Sequence, residues 1–466
     1  MKKLVFTINS ITMKQHSYLL YTLVLLLTAS SCQFKAYKQP KVETDGLYRE
    51  QITSVGDTTS LGDFGWRELF TDPYLQELIA KALENNPDMR SALLTIEQAE
   101  AQYRQSKAAF FPSLSANANA TFTFDKDGNM KTLNSMLNAS WEIDFFGKLL
   151  NSKRAAKAVL MQTEAYKCAV QTRLVTNVAT LYYTLLALDE QLAITKQTLK
   201  KWDESVETME LLMQAGMVNR AAVVQSKANR YGIETTIPDL ERRIRETENT
   251  LSFLLNRLPA HIERGEIAKT RFTQEVTTGV PAMLLAKRPD VKQAECDLMI
   301  AFANTNIARS MFYPSIVISA NGGIPNTLFD ALNPVNLVAS VAGGLTQPLF
   351  NRLALTTQLK VTKKEEEKAL LAFSKTLLNA GNEVSNALFE YQTLDRKIDS
   401  RSKQIEELKK SVEYTQELLT SGSSNYLEVL TAQQALLSAQ INQVNDSFDK
   451  VQSIITLYAA LGGGGE

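Results

Sequence analysis

The chain has 466 residues, of which 50 are basic and 50 acidic, so its formal net charge is zero. This balance excludes a global electrostatic attraction to nucleic acid. Only two histidines, His16 and His261, are present. The three cysteines, Cys32, Cys168 and Cys296, are too widely spaced for a metal knuckle or a disulfide framework. The composition therefore disfavours nucleic-acid binding, histidine-based catalysis and metal binding, and it predicts no cofactor.

The N-terminus has the features of an export signal over residues 1–31. Three lysines precede an apolar run, YLLYTLVLLLTA, that is too short to span a bilayer comfortably. The small residues after this run end at Cys32 and resemble the lipobox of bacterial lipoproteins, in which the cysteine is acylated after cleavage. We expect a lipid anchor at Cys32, followed by an extension over 32–65. A plain secretory signal with an incidental cysteine is the alternative, and Met13 is an alternative start.

A short aromatic-Pro-Ser-aliphatic phrase occurs twice, as FFPSL around Pro112 and as MFYPSI around Pro314. Each copy follows another proline, Pro87 or Pro289, at the same interval of 25 residues. The polar, Ala- and Gln-rich segment between the prolines predicts a helix in each copy. The chain is therefore predicted to be an internal duplication. Its predicted parts are a first repeat, 66–258, a linker, 259–282, a second repeat, 283–461, and a glycine-rich tail, 462–466.

Alternating apolar and polar residues follow each phrase and predict long strands. Over 113–124 the even positions are Leu, Ala or Phe and the odd positions are Ser, Asn or Thr. The alternation resumes after a DKDGN turn and continues to residue 145, which predicts a hairpin over 113–145. The second half repeats the pattern more weakly over 314–347. Strands of about 10 to 13 residues favour a membrane crossing over an ordinary sandwich sheet, which is the alternative.

Four membrane strands cannot close a barrel, because the smallest barrels have about eight strands and an open edge in lipid leaves backbone groups unsatisfied. The barrel must therefore be shared between chains. A dimer would supply eight strands and a trimer twelve, and only the larger number leaves a generous pore. We expect strand–helix corners at Pro112 and Gly147 in the first half and at Pro314 and Pro348 in the second.

Each hairpin leads into a very long stretch of helical character. Residues 148–214 contain no proline or glycine, and residues 352–421 contain only Gly381. An unbroken helix of this length would reach roughly 100 Å. Leucines at helical spacing between charged and amide residues favour coiled-coil packing. Each long helix is predicted to end at a glycine turn, at Gly216 or Gly422, and one return helix is predicted to follow each turn.

In their order and duplication, these motifs resemble the TolC-type outer-membrane efflux proteins, in particular their NodT-like lipoprotein branch. The resemblance covers nearly the whole mature chain and is carried by NNPD, FFPSL, WEIDFFGK, RPDV, FYPSI, QPLFNR and GSSNYLEVLTAQQALLSAQ. It implies a mostly α-helical homotrimer with a twelve-stranded outer-membrane β-barrel and a periplasmic α-barrel. It also implies a passive exit duct that works with a periplasmic adaptor and an inner-membrane pump of the RND type.

The resemblance also implies a constriction at the turn after the second long helix. Well-known members carry an arginine and two carboxylates there. Counted from Gly422, the first carboxylate falls on Glu428, the second on Thr431, and the arginine position holds a serine. The expected gate is therefore a ring of Glu428 side chains with Tyr426 and Leu427 nearby. The alternative is that Glu428 is a solvated first-turn residue favoured by the helix dipole.

Two other classes of protein compete with the duct. A pore-less structural or adaptor lipoprotein would also have coiled-coil hairpins, but it would not need duplicated strands with a strict alternation. A lipid-anchored enzyme is disfavoured, because the sequence has no nucleophile motif, no phosphate-binding loop and no paired carboxylates beyond those that any charged helix supplies. Drugs, metal ions and secreted peptides all fit a passive duct, so the substrate class stays open.

Overall fold

The computed structural model describes residues 36–40, 60–125, 128–267, 287–327, 338–421 and 426–465. Cys32, Gly422, the predicted signal peptide and most of the predicted linker lie outside these residues. The chain divides into two compact units. One contains Ile96–Thr163 and Ala294–Phe373, and the other contains Glu164–Gln293 and Ser374–Glu466.

The two halves of the chain share one order of elements, namely a helix, two strands, a long helix and a return segment. The first half contains α1 (Trp66–Leu69), α2 (Pro73–Asn85), α3 (Pro87–Ala108), β1 (Ser113–Asp125), β2 (Gly128–Ile143), α4 (Lys148–Gln214), α5 (Arg220–Glu234) and α6 (Thr236–Leu254). The second half contains α7 (Pro289–Ser310), β3 (Ser315–Thr327), β4 (Val338–Thr346), α8 (Ala354–Thr420) and α9 (Tyr426–Ala460). Helices α4 and α8 have 67 residues each, and α3 and α7 have 22 each.

Two details of the helices differ from the sequence-based prediction. The first return helix is split at Thr235 into α5 and α6. Pro238 explains the split, because a proline lacks the N–H donor and clashes with the carbonyl four residues earlier. Helix α8 begins at Ala354 rather than at residue 352, because Arg352 and Leu353 have positive φ angles of 45° and 65°. Within the described ranges, no helix is both long and apolar enough to cross a membrane.

The four strands form one antiparallel sheet in the order β1-β2-β3-β4. Residues directly opposite each other share a face, so the register defines rows that cross the whole sheet. One apolar row is Leu114, Ala139, Ala320 and Val341. The neighbouring polar row is Ser115, Asn138, Asn321 and Ser340. The predicted alternation therefore produces one apolar and one polar face, and both halves of the chain contribute to each face.

The apolar face of the sheet is not covered by the rest of the described chain. Leu114 is 74% exposed and Val341 is 78% exposed. Phe122, Leu137 and Leu345 are also exposed. Such a large contiguous apolar surface marks a contact with a membrane or another protein.

The main hydrophobic core lies in the second unit. Its large buried side chains include Phe70, Leu75, Ile79, Tyr182, Leu185, Leu251, Ile455 and Tyr458. They come from α2, α4, α6, α9 and the turn after α1, and their helical spacing places them on one face of each helix. The Tyr458 hydroxyl donates a hydrogen bond to the Phe64 carbonyl at 3.0 Å, so this buried polar group is satisfied.

The proline motifs NNPD and RPDV each start a helix, and their polar residues fix that start. Asn86 accepts a hydrogen bond from the Asp88 amide at 2.8 Å. Arg288 is buried and donates to Asp290, to Glu383 at 2.7 Å and to the Ala460 carbonyl at 2.9 Å. Burial alone would raise the pKa of Asp290, but the hydrogen bond from Arg288 lowers it below its ordinary value. RPDV thus links the start of α7 to the end of α9.

The glycine-rich end of the chain packs into the second unit. The Thr172 hydroxyl donates a hydrogen bond to the Gly463 carbonyl at 3.0 Å. A Cβ atom at Gly463 would lie 2.2 Å from the Tyr458 ring, and one at Gly62 would lie 2.5 Å from the Leu461 carbonyl oxygen. Glycine is required at both positions because the neighbouring atoms leave no room for a side chain.

Candidate functional site

The residues predicted at the strand–helix corners lie where strands meet helices. Pro112 directly precedes β1, and Pro314 directly precedes β3. Gly147 directly precedes α4 and has a φ of 69°, which a residue with a side chain adopts only at a cost. Pro348 lies between β4 and α8. The four residues therefore lie between a helix and a strand, and their role in turning the chain stays a prediction.

Both copies of the repeated phrase are fastened by the same kind of hydrogen bond. The Trp141 indole N–H donates to the Phe110 carbonyl at 2.9 Å. The Gln347 amide donates to the Phe312 carbonyl at 3.0 Å. Each accepting carbonyl belongs to the second residue before the motif proline, just after a helix end, where carbonyl groups lack intrahelical partners. In each copy, a side chain near the end of the returning strand thus gives a hydrogen bond to a carbonyl group of the turn.

The WEIDFFGK motif connects the end of β2 to the start of α4. The Asp144 carboxylate accepts hydrogen bonds from the amides of Leu149 and Leu150 at 3.0 and 2.7 Å, which satisfies donors in the first turn of the helix. The Phe146 ring stacks on the Tyr313 ring with centroids 4.8 Å apart. Because Tyr313 belongs to the second copy of the repeated phrase, this contact joins the two halves within the first unit.

The predicted gate residues lie at the start of α9, but on two faces of the helix. Tyr426 is only 7% exposed, whereas Leu427 is 62% exposed. Glu428 and Thr431 are also exposed, and the Thr431 hydroxyl donates to the Leu427 carbonyl at 2.8 Å. The structure therefore brings Leu427, Glu428 and Thr431 together on one exposed face. It places Tyr426 on the buried side.

Tyr426 is part of a small hydrophobic cluster that holds the two helical hairpins of the second unit together. The other buried members are Trp202, Met209, Val223, Leu419, Val429 and Leu430. Burial raises the pKa of Tyr426, and the adjacent Ser226 hydroxyl opposes this shift. The two hydroxyls approach each other without meeting the geometry of a hydrogen bond. Sequence reasoning missed Trp202, although a lone tryptophan in the polar stretch KKWDES was a usable signal.

Glu428 lies in the first turn of α9, where the helix dipole favours a carboxylate. Its counterpart in the first half is Ala222, which is partly buried against the cluster around Trp202. The Asn219 side chain accepts a hydrogen bond from the Ala222 amide at 3.0 Å and caps α5. Only the second hairpin therefore presents a carboxylate at this position.

Cys168, Cys296 and His261 belong to residue types that are common in catalytic and metal sites. Neither Cys168 nor Cys296 forms a disulfide within the described residues, and Cys296 is buried. His261 is exposed, with its Nδ1 atom 2.8 Å from Glu248. In the part of the chain that the structure describes, no group of three or more His, Cys, Asp or Glu residues is arranged to hold a metal ion.

The duplicated strand-and-helix fold is similar to that of a solved outer-membrane channel. The open state of the MtrE outer membrane channel of Neisseria gonorrhoeae superimposes with a TM-score of 0.84 at 28% identity, covering 93% of this chain and 98% of that one. The family model described as "Outer membrane efflux protein" matches residues 78–257 and 280–463. The chain belongs to the outer membrane efflux protein family.

Three curated relatives match most of their own length. The probable outer membrane lipoprotein SilC of Salmonella typhimurium is 29% identical, covering 91% of this chain and 93% of SilC. The cation efflux system protein CusC of Escherichia coli strain K12 is 30% identical, covering 86% and 89%. The toluene efflux pump outer membrane protein TtgI of Pseudomonas putida is 30% identical, covering 85% and 87%. The predictions of an efflux channel and of an outer-membrane location are confirmed.

Proposed function

We propose that three copies of this chain close one twelve-stranded barrel, which is the outer-membrane exit duct of a tripartite efflux system. The observation that carries the proposal is the four-stranded sheet, which exposes an apolar face. Within the described residues, β1 pairs only with β2, and β4 pairs only with β3. Both edges of the sheet therefore have backbone groups available for another chain.

The membrane makes closure necessary. An open strand edge in hydrocarbon leaves N–H and C=O groups unsatisfied, at a cost of several kcal/mol for each group. With four antiparallel strands per chain, β4 of one chain meets β1 of the next in the antiparallel sense. Any number of copies therefore preserves the antiparallel order of the strands around the barrel. Twelve strands leave a wider lumen than eight, and the Ser and Asn residues of the polar face suit a water-filled lumen.

The names of the relatives support a proposal for the partners. CusC is named as part of a cation efflux system and TtgI as part of a toluene efflux pump. We propose a periplasmic adaptor and an RND-type inner-membrane pump as the partners of this chain. SilC is named as a lipoprotein, which supports an acylated Cys32 as the anchor. CusC and TtgI are each 30% identical to this chain, although their names refer to different substrates. Because similar ducts belong to systems with different substrates, we expect the pump rather than the duct to select the substrate.

The proposed constriction is a ring of three Glu428 side chains at the exposed start of α9. Leu427 and Thr431 share this exposed face. Three carboxylates that converge on a narrow aqueous pore favour cations. Tyr426, on the buried side, would hold the helix against the cluster around Trp202 rather than line the pore.

The trimer is tested by cross-linking between strand edges. In a background without Cys168 and Cys296, one cysteine replaces Ser115 on β1, and a second is scanned over 339–343 on β4. Mild oxidation should give a covalent species of three chains, seen by gel electrophoresis after denaturation. The matched control places the first cysteine at Asn138, in the same polar row but on the interior strand β2, and should give no intermolecular bond. A limit of two chains, or an unlimited ladder, would contradict the trimer.

The gate is tested by single-channel conductance in a planar bilayer. The unmodified protein should give cation-preferring steps, and Glu428→Lys should lose or reverse that preference. Glu407→Lys makes the same charge change at an exposed position of α8 and should retain the preference. If both variants keep the cation preference, the proposed duct is retained and the proposed Glu428 gate is wrong. If the folded, inserted protein gives no steps, the pore-less adaptor becomes the better candidate.

A further inference from the structure

Helix α8 has an exposed stripe of side chains in the second unit. Phe389, Arg396 and Lys403 are exposed and are spaced seven residues apart. Seven residues are nearly two turns of an α-helix, so these side chains, which we call the α8 stripe, lie on one side. The exposed large hydrophobic residues of α8 in this unit share that side: Leu378, Phe389, Tyr414 and Leu418. The opposite side is buried in its own chain, through residues that include Val384, Ala387 and Leu394.

Helix α6 has a second exposed stripe with the same spacing. Asp239, Glu246 and Phe253 are exposed and are also seven residues apart. We call them the α6 stripe. The buried residues Leu240 and Leu251 lie on the opposite side of this helix. Phe253 is 78% exposed and Phe389 is 55% exposed, so each stripe presents a large aromatic ring to its surroundings.

The two stripes belong to the outermost helices of one row. Lys196 of α4 lies 3.0 Å from Glu241 of α6, which joins these two helices. The Gln191 amide of α4 donates to the Asn445 side chain of α9 at 2.7 Å. The neighbouring Asp446 joins α9 to α8. The order of contacts is therefore α6, α4, α9 and α8, and the stripes face away from the inner helices.

The same contacts place the two stripes at one height along the row. The α8 residue that pairs with α9 at the height of Gln191 is Lys397, next to Arg396. Gln191 precedes the α4 partner of Glu241 by five residues. Because α4 and α6 run in opposite directions, Gln191 is level with the residue five positions after Glu241, which is Glu246. Arg396 and Glu246 therefore lie at the same height on opposite ends of the row.

An antiparallel alignment at this height matches every member of one stripe with a complementary member of the other. It places Phe389 opposite Phe253, and Lys403 opposite Asp239. Aromatic pairs and opposite charges attract across a helix contact. Both cations of the pair of stripes lie on α8 and both carboxylates lie on α6, so two α8 stripes would repel each other. Within one chain α4 and α9 lie between the stripes, so a second copy must supply the partner.

We propose that the α8 stripe of one copy packs against the α6 stripe of the next copy, with Arg396 facing Glu246. This inference rests on the proposed trimer and names the contact between its helices. The contact joins two different surfaces, and such head-to-tail contacts can close a ring. Its direction agrees with that of the proposed sheet contact, in which β4 from the second half of one copy meets β1 from the first half of the next.

Disulfide formation in the assembled, full-length protein in detergent tests this contact. In a background without Cys168 and Cys296, Phe253→Cys is combined with Phe389→Cys. Mild oxidation should give a covalent species of three chains, seen by gel electrophoresis after denaturation. In the control, Glu390→Cys replaces Phe389→Cys. Glu390 is also exposed but lies on another side of α8, so it should give no intermolecular bond.

The strand-edge cysteine pair described above is oxidised in parallel, because it reports the trimer independently of the helices. With Phe253→Cys fixed, the second cysteine is also placed at Asn382 and at Arg396, one step of seven residues to either side. If the strand-edge pair gives three chains and none of the helix pairs does, the trimer is retained and the helix contact is wrong. The stripe would then be left to a helix of the adaptor. A bond only at Asn382 or Arg396 would overturn the pairing of Arg396 with Glu246.

Charge reversal tests that pairing directly. Arg396→Glu should slow formation of the bond between cysteines 253 and 389 about tenfold, because two carboxylates would then face each other. Adding Glu246→Arg should restore the parental rate. Glu406→Arg makes the same charge change on another side of α8, in an exposed pair with Lys410, and should restore nothing. The pairing is wrong if Arg396→Glu leaves the rate unchanged, or if Glu406→Arg restores it as well as Glu246→Arg does.

Discussion

The two return segments of the chain have the same length but different structures. The first, 220–254, consists of α5 and α6 with a break at Thr235, whereas the second is the continuous helix α9 over 35 residues. Counted from Gly216 and Gly422, Pro238 of the first segment corresponds to Val444 of the second. Val444 is buried. We attribute the break to Pro238, because a proline removes one helical hydrogen bond and clashes with the preceding turn.

The polar contacts of the two segments differ at another corresponding position. Asp446 is 2% exposed and lies 2.6 Å from Lys397 and 3.0 Å from Arg401. The counterparts of Asp446, Lys397 and Arg401 in the first half are Leu240, Gln191 and Thr195, and all three counterparts are buried. The second hairpin therefore has a buried carboxylate with two cationic partners where the first has one aliphatic and two uncharged polar side chains.

The ends of the two segments, in contrast, are built alike. Asn256 has a φ of 52°, and its counterpart Gly462 has a φ of 85°. The Arg257 amide donates to the Ser252 carbonyl at 3.1 Å, and the Gly463 amide donates to the Tyr458 carbonyl at 2.9 Å. This is the Schellman motif, which ends a helix with one residue in the left-handed conformation. The backbone geometry is the same although the residue differs.

The largest expected effect comes from placing a proline at Val444, the position that corresponds to Pro238. Val444→Pro should reduce the free energy of unfolding by about 3 kcal/mol or more, because it removes a helical hydrogen bond and clashes with the preceding turn. Pro238→Ala is the matched change in the first half. It should alter the free energy by less than about 1 kcal/mol, because the regained bond is offset by the greater freedom of the unfolded chain. Urea unfolding followed by circular dichroism compares them, and equal losses would contradict the comparison.

A smaller effect is expected at the ionic group. Asp446→Asn should cost about 2 kcal/mol, since it weakens charge-assisted hydrogen bonds whose cationic partners stay partly exposed. Burial alone would raise the pKa of Asp446, but hydrogen bonds from Lys397 and Arg401 lower it below its ordinary value. The stabilisation is therefore present above the unfolded-state pKa of about 4 and is lost as the pH falls through the folded-state value.

The measurement is urea unfolding of both proteins at pH 7 and at decreasing pH. The difference between the parent and Asp446→Asn should shrink below about pH 4. Asp399→Asn is the control, because Asp399 forms an exposed pair with Lys403 on the surface of α8. An exposed pair contributes about 0 to 1 kcal/mol. A loss at Asp399 as large as that at Asp446 would show that burial is not the cause.

The smallest effect is expected at the helix ends. Gly462→Ala should cost about 1 to 2 kcal/mol, because alanine is strained at the positive φ and its Cβ would lie 3.2 Å from the Arg288 amide nitrogen. Asn256→Ala should cost about 1 kcal/mol or less, because Asn256 already bears a side chain and is exposed. Thermal unfolding midpoints give the order, and a larger loss at Asn256 would contradict it.

Sequence reasoning predicted the long helices well because their signals are local. The first was predicted over 148–214 and is observed as Lys148–Gln214. The break at Thr235 was missed, although Pro238 was visible in the sequence. Of the predicted gate residues, the pattern could not tell that Tyr426 is buried, because its contacts with Trp202 and Val223 come from helices that are distant in the chain.

The sequence by itself determined the duplication, the alternation of the strands and the length of the helices. These depend on residue spacing and on where proline and glycine occur. Only the tertiary structure decided that β2 pairs with β3, so that two halves far apart in the chain form one sheet. It also decided which side of α9 is exposed. The physical reason is that pairing register and packing depend on contacts between distant residues, which no local pattern encodes.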